Sequence, residues 1–548
     1  MIFLTRNWKW KRGLWRLKFK GEEKMIITSP GKVLRKNYRL SGNYYFSLLL
    51  KDDIVEVCFP MCSNSSLFCF KVRGFLTERD FRGKGWIEIL TEEGDTEMVI
   101  PPYAQGFFVG KKMESLPEVE AYSKIFWEIP SQVNSFRTNW SRIPVYYSQF
   151  RNSLPSIGFK EADEGSYIGI GDTPERAILN SIHLSRIGRD ALFKQARKFL
   201  ANFDDLDDKT VRDNVFLSLF YSNSSCVDVD DTCIMASKSP KYYVSGGFWA
   251  RDFIFWTLPV IERYDPSRAE DLISTLLSKY WKNKGIHALY LDGRILYDGF
   301  ELDQLSYYFL ALERGMHYGI LDPERSLEMA DELITILESR KHERYNLYST
   351  ELNSSDDPVV YPYVTFNNVV LWYSLRTYSS RIEKLLGNRR YSSLHERIKE
   401  DIMHRMVKDD MFSYSTDLEG NYEFYDDPTG SLLLLPYLGF IDRHSPVFRN
   451  TVRWVTSERN EFMLKGKFRG LGNRHVRHPW IHWFVTEVLS GLEAPSALAR
   501  IPMDDGLCCE TISEKDGKCL TGIHFPGASG FFAQAMISNS EKNGIGKA

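Results

Sequence analysis

The chain has 548 residues, of which 43% are hydrophobic, 14% are aromatic and 26% are charged, and its formal net charge is -2 at pH 7. This balance is typical of a globular chain of two to four domains with a sizeable core. It excludes a disordered chain and a strongly basic protein, so we expect neither nucleic acid nor membrane as a partner. The high aromatic share suits either a large core or a site that binds sugar rings.

Residues 1–160 consist of short runs typical of β-strands, such as "DIVEVCF", "SLFCFKV" and "WIEIL", with turn-forming stretches such as "CSNSS" and "FRGKG" between them. Such runs predict an antiparallel β-sandwich. The pattern changes at Thr173, where a Thr-Pro pair with a glutamate three residues after the threonine opens a stretch with helical spacing of apolar residues. We therefore predict a helical linker over residues 161–204.

From residue 205 to 548 the apolar residues recur at helical spacing, which predicts eleven helices. Some have one apolar face, as in "SRAEDLISTLLSKYW", and others are apolar nearly all round, as in "SLLLLPYLGFI". Alternation of the two kinds predicts an inner ring of helices wrapped by an outer ring, an (α/α)6 barrel that would need twelve. The predicted segments lie near 207–222, 248–262, 266–281, 301–319, 323–340, 363–385, 391–406, 429–440, 446–459, 479–491 and 527–538.

The eight cysteines form no Cys-x-x-Cys pair and no zinc-like spacing with histidine. We therefore expect reduced cysteines. The basic N-terminal segment has no uninterrupted apolar core of a signal peptide, and no apolar run reaches the ~18 residues that a membrane-spanning helix needs. These features predict a cytoplasmic protein; the sequence does not indicate its oligomeric state.

Polar and aromatic residues at the starts of buried helices are the places where a cavity would form. The first such cluster, "SGGFWARDFIFWTLPVI", carries Trp249, Arg251 and Asp252. Trp249 offers a stacking face, and the Arg-Asp pair offers donors and acceptors for vicinal hydroxyls. The alternative is an ion pair within a helix, with no ligand.

The second cluster, "ILYDGFELDQLSYYFLALERG", places Asp298, Glu301 and Asp303 before a long apolar helix. On a helix, residues two apart point about 200° away from each other, so at most one of Glu301 and Asp303 would serve the cavity. The alternative role for these carboxylates is helix capping alone.

The third cluster, "RGLGNRHVRHPWIHWFVTEVL", carries His475, His478, Trp480 and His482. The spacing of His478 and His482 would allow a metal site, but no third ligand is evident, so a cavity wall without metal is expected. A fourth cluster, "DDGLCCETISEKDGKCLTG", carries Glu510. Two carboxylates from distant segments that face one cavity are what glycoside hydrolysis requires.

Two families share these motifs. "FWARD" resembles the Trp-x-Arg-Asp motif of glucoamylases, which implies that Trp249, Arg251 and Asp252 bind the terminal sugar. The C-terminal segment is similar to the last catalytic segment of that family, where a glycine follows the catalytic glutamate by seven residues, as Gly517 follows Glu510. The resemblance implies that Glu510 is the general base of an inverting glycosidase.

"FELDQLSYYFLAL" is similar to a helix of metal-independent exo-α-mannosidases, and "HPWIHWFVTEVLSGL" resembles another. This match implies Asp303 as the general acid, with Glu301 as the alternative, and His478 and Trp480 in the substrate site. The resemblance to this six-hairpin barrel clan implies an exo-acting inverting α-glycoside hydrolase on an α-glucan or oligosaccharide, without cofactor or metal. The alternatives are an exo-α-mannosidase and a non-catalytic carbohydrate-binding protein.

Overall fold

A computed structural model of the chain describes thirteen strands between Phe3 and Gly171, and then residues 174–203, 205–226, 231–237, 239, 242 and 247–544. The chain divides into two compact units. One comprises Met1–Asp207 with Ser224–Cys233, and the other comprises Asp208–Asn223 with Ile234–Ala548. The predicted boundaries at 160/161 and 204/205 stay predictions.

The first unit contains two antiparallel sheets. A seven-stranded sheet has the order β1-β2-β3-β6-β7-β8-β11, and a six-stranded sheet has the order β4-β5-β12-β13-β10-β9. Each of the three quoted runs contains a strand, whereas the packing of the two sheets as a sandwich stays a prediction. The strands are β1 (Phe3–Arg6), β2 (Leu14–Phe19), β3 (Glu22–Thr28), β4 (Asn37–Leu40), β5 (Asn43–Phe46), β6 (Ile54–Pro60), β7 (Leu67–Gly74), β8 (Lys84–Glu92), β9 (Thr96–Val99), β10 (Gly106–Lys111), β11 (Thr138–Tyr146), β12 (Ser156–Ala162) and β13 (Gly165–Gly171).

Two helices follow these strands, and the first packs against β12 and β13. They are α1 (Pro174–Ile187) and α2 (Arg189–Leu200).

The second unit is helical. Among its described residues no helix combines the length and the apolar character that a membrane span requires. Its helices are α3 (Lys209–Tyr221), α4 (Leu258–Tyr264), α5 (Pro266–Thr275), α6 (Leu302–His317), α7 (Pro323–Glu338), α8 (Thr365–Leu386), α9 (Arg390–Arg405), α10 (Pro446–Val455), α11 (Ile481–Leu489), α12 (Pro495–Leu498) and α13 (Pro526–Gly544). Shorter helical turns of this unit are the π-helical Asp252–Thr257 and Leu276–Tyr280 and the 3-10 turns Trp281–Asn283 and Leu432–Leu434; the 3-10 turn Ala201–Phe203 belongs to the first unit.

Helices that alternate along the chain pack next to one another in space, as a double ring requires. The turn Asp252–Thr257 packs on α6 and α13, α6 packs on α8, and α11 packs on both α13 and the 3-10 turn Leu432–Leu434. The helices between them in sequence pack on these segments as well, α5 on α4, α7 on α6 and α9 on α8. All eleven predicted regions contain a helical segment. The structure adds a twelfth segment, α12, which has only four residues, too few to show a helical period in the sequence.

Short strands connect the helices and hold the segments that precede the inner helices. They form small antiparallel sheets in the orders β14-β15, β16-β17-β18, β19-β22-β23, β20-β21, β24-β25 and β26-β27. Their bounds are β14 (Asn223–Cys226), β15 (Asp231–Ile234), β16 (Gly247–Phe248), β17 (Ile286–Tyr290), β18 (Ile295–Phe300), β19 (Tyr363–Val364), β20 (Val407–Lys408), β21 (Met411–Phe412), β22 (Ser415–Thr416), β23 (Tyr422–Glu423), β24 (Met463–Leu464), β25 (Gly470–Leu471), β26 (Thr511–Ile512) and β27 (Cys519–Thr521).

One disulfide lies in the last of these hairpins and joins Cys509 to Cys519, whose Cα atoms are 6.0 Å apart. The expectation that the cysteines are reduced is wrong for this pair. The two cysteines lie ten residues apart in sequence, and the β26-β27 hairpin folds the chain back so that they meet within disulfide range. Cys508 is buried and forms no disulfide among the described residues.

Candidate active site

The second unit holds a cavity of about 160 Å³, which we term the central cavity. Five of the residues singled out from the sequence line it: Trp249, Arg251, Asp252, Trp480 and Glu510. They come from segments more than 250 residues apart, so the fold brings together clusters that the sequence could only treat separately. The remaining lining residues are Tyr242, Trp256, His287, Tyr297, Ser354, Ser355, Asp356, Thr429 and Phe525.

Two tryptophans give the cavity unused hydrogen-bond donors. The indole Nε1 atoms of Trp249 and Trp480 are buried and have no hydrogen-bond partner among the described residues. A buried donor without a partner carries a desolvation cost that a ligand acceptor would remove. Trp249 lies directly against Gly247, where an added Cβ would come within 2.4 Å of its ring. Gly247 of the first cluster therefore makes room for the tryptophan.

Arg251 is the centre of a buried charge cluster, with its side chain 2% exposed. Its Nη1 donates to Glu301 Oε2 at 2.7 Å and to Asp303 Oδ2 at 3.0 Å, and its Nη2 donates to Asp356 Oδ1 at 2.6 Å. Burial alone would lower the pKa of Arg251, but the carboxylates around it raise the pKa well above its usual value. The guanidinium thus holds three carboxylates in fixed positions.

Asp303 and Glu301 lie behind Arg251 and do not line the central cavity. Both are fully buried, and Asp303 also accepts a hydrogen bond from Ser354 Oγ at 2.9 Å. The prediction that the two carboxylates point away from each other is wrong, since both contact Arg251. Glu301 precedes α6 with extended backbone angles, φ -121° and ψ 116°, so helical geometry does not apply to it. Asp303 as the general acid stays a prediction.

Asp356, which the sequence did not single out, lies on the cavity wall with 36% of its side chain exposed. It follows an Asx turn in which the Asn353 carboxamide oxygen accepts the backbone N–H groups of Ser355 and Asp357, each at 3.0 Å. Asp356 itself has φ 66°, in the left-handed region. The sequence signal that could have revealed it is the stretch "NSSDDP", two carboxylates beside turn-forming residues between predicted helices.

Glu510 enters the cavity from the hairpin closed by the disulfide. Its side chain is 4% exposed, and Oε1 accepts a hydrogen bond from the Tyr242 hydroxyl at 2.8 Å. Its backbone carbonyl accepts from the N–H of Ile481 at 2.8 Å, which ties the hairpin to the start of α11. Gly522 has φ 56°, and a Cβ there would come within 2.4 Å of the Glu510 carboxyl carbon. Only glycine leaves room for this carboxylate.

Asp252 is the third carboxyl of the central cavity. Burial raises the pKa of Asp252 well above its usual value; Arg251 opposes this rise, and the negative charges of Asp356 and Glu510 reinforce it. Three carboxyls that share one small cavity disfavour full ionisation, so the site retains a proton more readily than isolated carboxylates would.

Two of the three histidines of the third cluster, His478 and His482, have different surroundings. His478 has 42% of its side chain exposed, pairs with Glu514 at 3.2 Å and does not line the central cavity. His482 is fully buried with its ring centroid 4.2 Å from that of Trp256, and burial lowers the pKa of His482 to about 3. A neutral buried ring and an exposed ring do not form a shared metal site.

A possible metal-binding group consists of His287, Glu301 and Asp356. Each offers a ligand atom within 4.8 Å of the others. The guanidinium of Arg251 already pairs with both carboxylates, and Nδ1 of His287 lies 2.6 Å from Glu301 Oε1. This cluster supplies its own positive charge, so we do not assign a metal to it.

The Glu301→Gln substitution is expected to lower the free energy of unfolding by about 3 kcal/mol, at the low end for a broken buried ion pair, because Arg251 keeps two other carboxylates. Burial lowers the pKa of His287, but the hydrogen bond that its Nδ1–H donates to Glu301 and the charge of Asp356 raise it overall. A raised histidine pKa stabilises the folded state below the unfolded value, and this contribution is lost as pH rises through the folded value.

Thermal unfolding of wild type and Glu301→Gln should therefore differ more at about pH 6 than at about pH 9. Glu328→Gln is the matched control, since Glu328 pairs with Arg325 on the surface. Its cost should stay below about 1 kcal/mol at every pH. Equal costs for the two variants would contradict the buried role of Glu301.

The family model described as "Metal-independent alpha-mannosidase (GH125)" matches residues 328–537, less than half of the chain. The matched segment contains Asp356, Trp480 and Glu510 but neither Arg251 nor Asp303. A curated relative, the meiotically up-regulated gene 157 protein of Schizosaccharomyces pombe, is 30% identical over 143 residues. That alignment spans 24% of this chain and 28% of the relative.

Two solved structures share the fold. A metal-independent α-mannosidase of Streptococcus pneumoniae, in a non-productive complex with α-1,6-mannobiose, is 16% identical with a TM-score of 0.52, over 64% of this chain and 99% of that one. A bacterial glucoamylase complexed with acarbose is 12% identical with a TM-score of 0.53, over 96% of this chain and 92% of that one. The family match and these (α/α)6-barrel neighbours confirm the predicted resemblance and the prediction of a glycoside hydrolase.

Proposed function

We propose that this glycoside hydrolase removes a single terminal α-linked mannose from an oligosaccharide, with inversion at the anomeric carbon. The match of residues 328–537 to the α-mannosidase family model carries this proposal, because the matched segment supplies Asp356, Trp480 and Glu510 to the central cavity. No cofactor takes part in the proposed reaction.

The size of the central cavity supports action at a chain end. Its volume of about 160 Å³ lies well below the ~300–1,000 Å³ of sites that enclose drug-sized ligands. A cavity of this size suits one sugar ring, so the rest of the oligosaccharide would extend outward. Trp249, Trp480 and Asp252 are then the residues that bind the terminal sugar.

The proposed chemistry uses two carboxyls of the cavity wall. Glu510, oriented by Tyr242, acts as the general base that takes a proton from the attacking water. Asp356 acts as the general acid that gives a proton to the glycosidic oxygen, because it lines the cavity while Asp303 is fully buried. Arg251 is a positioning residue in this scheme, since its Nη2 atom holds Asp356.

A second candidate function is glucoamylase-like hydrolysis of α-glucosides. It is favoured by the "FWARD" motif, whose Trp249, Arg251 and Asp252 lie at the cavity, and by the fold shared with the bacterial glucoamylase. A non-catalytic carbohydrate-binding protein is the third candidate, and it predicts binding of the same sugars without turnover.

Hydrolysis of α-1,6-mannobiose and maltotriose, followed by proton NMR of the released anomer, tests the proposal. We expect β-mannose as the first product from mannobiose and little release from maltotriose. First release of the α-anomer would indicate retention, and turnover of maltotriose alone would establish the glucoamylase-like candidate. Absence of turnover on both, with binding of either, would favour the non-catalytic protein.

A cytoplasmic location stays a prediction. The Cys509–Cys519 disulfide counts against it, because disulfides are rare in reducing compartments.

A further inference from the structure

A second cavity in the helical unit shares no residue with the central cavity. Its volume is about 630 Å³, within the usual range for small-molecule sites. Phe468 and Phe484, both half-buried, and the buried Trp483 supply its aromatic walls. The cavity is therefore large enough for a ring with substituents and offers it flat apolar surfaces.

Three exposed cations surround this cavity: Lys467, Arg469 and Arg500. Arg469 donates to the backbone carbonyl of Thr456, and Arg500 Nε donates to that of Ser496 at 3.1 Å. Within the described part of the chain, none of the three cations has a carboxylate partner within ion-pair distance. Several positive charges around a concave surface attract anions.

The carboxyls of the cavity do not neutralise these cations at neutral pH. Burial, and then the like charge of Glu493, raise the pKa of Glu487 to about 8, although Arg469 and the neighbouring Trp483 oppose the rise. Glu487 therefore holds its proton more readily than an ordinary glutamate and offsets less of the positive charge of the three cations. The indole Nε1 of Trp483 is buried and has no hydrogen-bond partner of good geometry among the described residues.

We infer that this second cavity binds a small anionic carbohydrate of the sugar-phosphate class. Lys467, Arg469 and Arg500 hold the phosphate, since arginine and lysine are the side chains that bind phosphate oxygens most strongly. The faces of Phe468 and Phe484 pack against the ring, and the Trp483 N–H and the Glu487 carboxyl form hydrogen bonds with its hydroxyls.

Calorimetric titration of the full chain with mannose 6-phosphate tests this inference, with excess free mannose present to occupy the central cavity. We expect the wild type to bind mannose 6-phosphate. The affinity should fall at least about tenfold in each of Arg469→Gln and Arg500→Gln, because each substitution removes a charge-assisted contact. Arg325→Gln removes an exposed arginine of α7, outside the cavity, and should leave affinity unchanged. Inorganic phosphate should bind more weakly than the sugar phosphate, because it does not contact the aromatic walls.

The pH dependence provides a second readout. Affinity should fall as pH rises through about 8, because ionised Glu487 adds a negative charge beside the anion. The Glu487→Gln variant should retain its affinity for mannose 6-phosphate at high pH. The other charged residues of the cavity, Glu493, Lys467, Arg469 and Arg500, are unchanged in this variant. Binding that survives loss of both arginines, or free mannose that competes with mannose 6-phosphate for the same site, would overturn the inference. No binding at any pH would overturn it as well.

Discussion

Replacement of Glu510 by glutamine is expected to lower kcat by about 10²–10⁴-fold, because the amide cannot accept a proton from the attacking water. The glutamine side chain has nearly the same shape and can still accept the Tyr242 hydrogen bond, so folding should be preserved. Substrate binding should change little, since the loss lies in the transition state. The measurement is steady-state hydrolysis of aryl α-mannosides with leaving groups of different acidity.

The loss in Glu510→Gln should be the same for good and poor leaving groups, because the general base acts on the attacking water and not on the leaving group. Asp516→Asn is the matched control, since Asp516 lies exposed on the same hairpin and caps its turn. It should retain wild-type turnover. Full activity in Glu510→Gln would remove this residue from the mechanism, and a similar loss in Asp516→Asn would point to damage of the hairpin.

Asp356→Asn is expected to depend strongly on the leaving group, unlike Glu510→Gln. A general acid matters most when the leaving oxygen is basic, so hydrolysis of mannobiose should fall by about 10²–10⁴-fold. Hydrolysis of 2,4-dinitrophenyl α-mannoside should stay near the wild-type rate, because dinitrophenolate leaves without a proton. A ratio of the two rates that changes by orders of magnitude is a signature that mere distortion of the site would not give.

Asp303→Asn tests the acid suggested by the sequence resemblance. Asp303 is buried and pairs with Arg251 and Ser354, so its loss should lower thermal stability and reduce turnover of both substrates alike. If Asp303→Asn instead shows the strong leaving-group dependence and Asp356→Asn does not, Asp303 is the acid and the geometric assignment is wrong. The pair of variants therefore decides between the two carboxyls.

The acid assignment illustrates how far local sequence patterns reach. The motif "FELDQL" predicts a carboxylate that faces the cavity at the start of a helix, and the helix α6 does begin there. Which carboxylate is exposed depends on Arg251, which lies fifty residues before Glu301 in the chain. Its guanidinium pairs with the buried Glu301 and Asp303 on one side and with the partly exposed Asp356 on the other. No spacing within one segment contains that information.

The sequence by itself determined the helical periodicity of the second unit, the positions of eleven of its helical segments, and the residue types of the proposed sugar-binding motif. These are local properties, since the pattern of apolar residues along a few turns fixes which face of a helix is buried. Only the tertiary structure decided that Glu510 and Asp356 line one cavity, that His478 lies outside it, and that Cys509 meets Cys519. Such contacts depend on how distant segments pack, and a buried carboxylate and an exposed one have the same letter in the sequence.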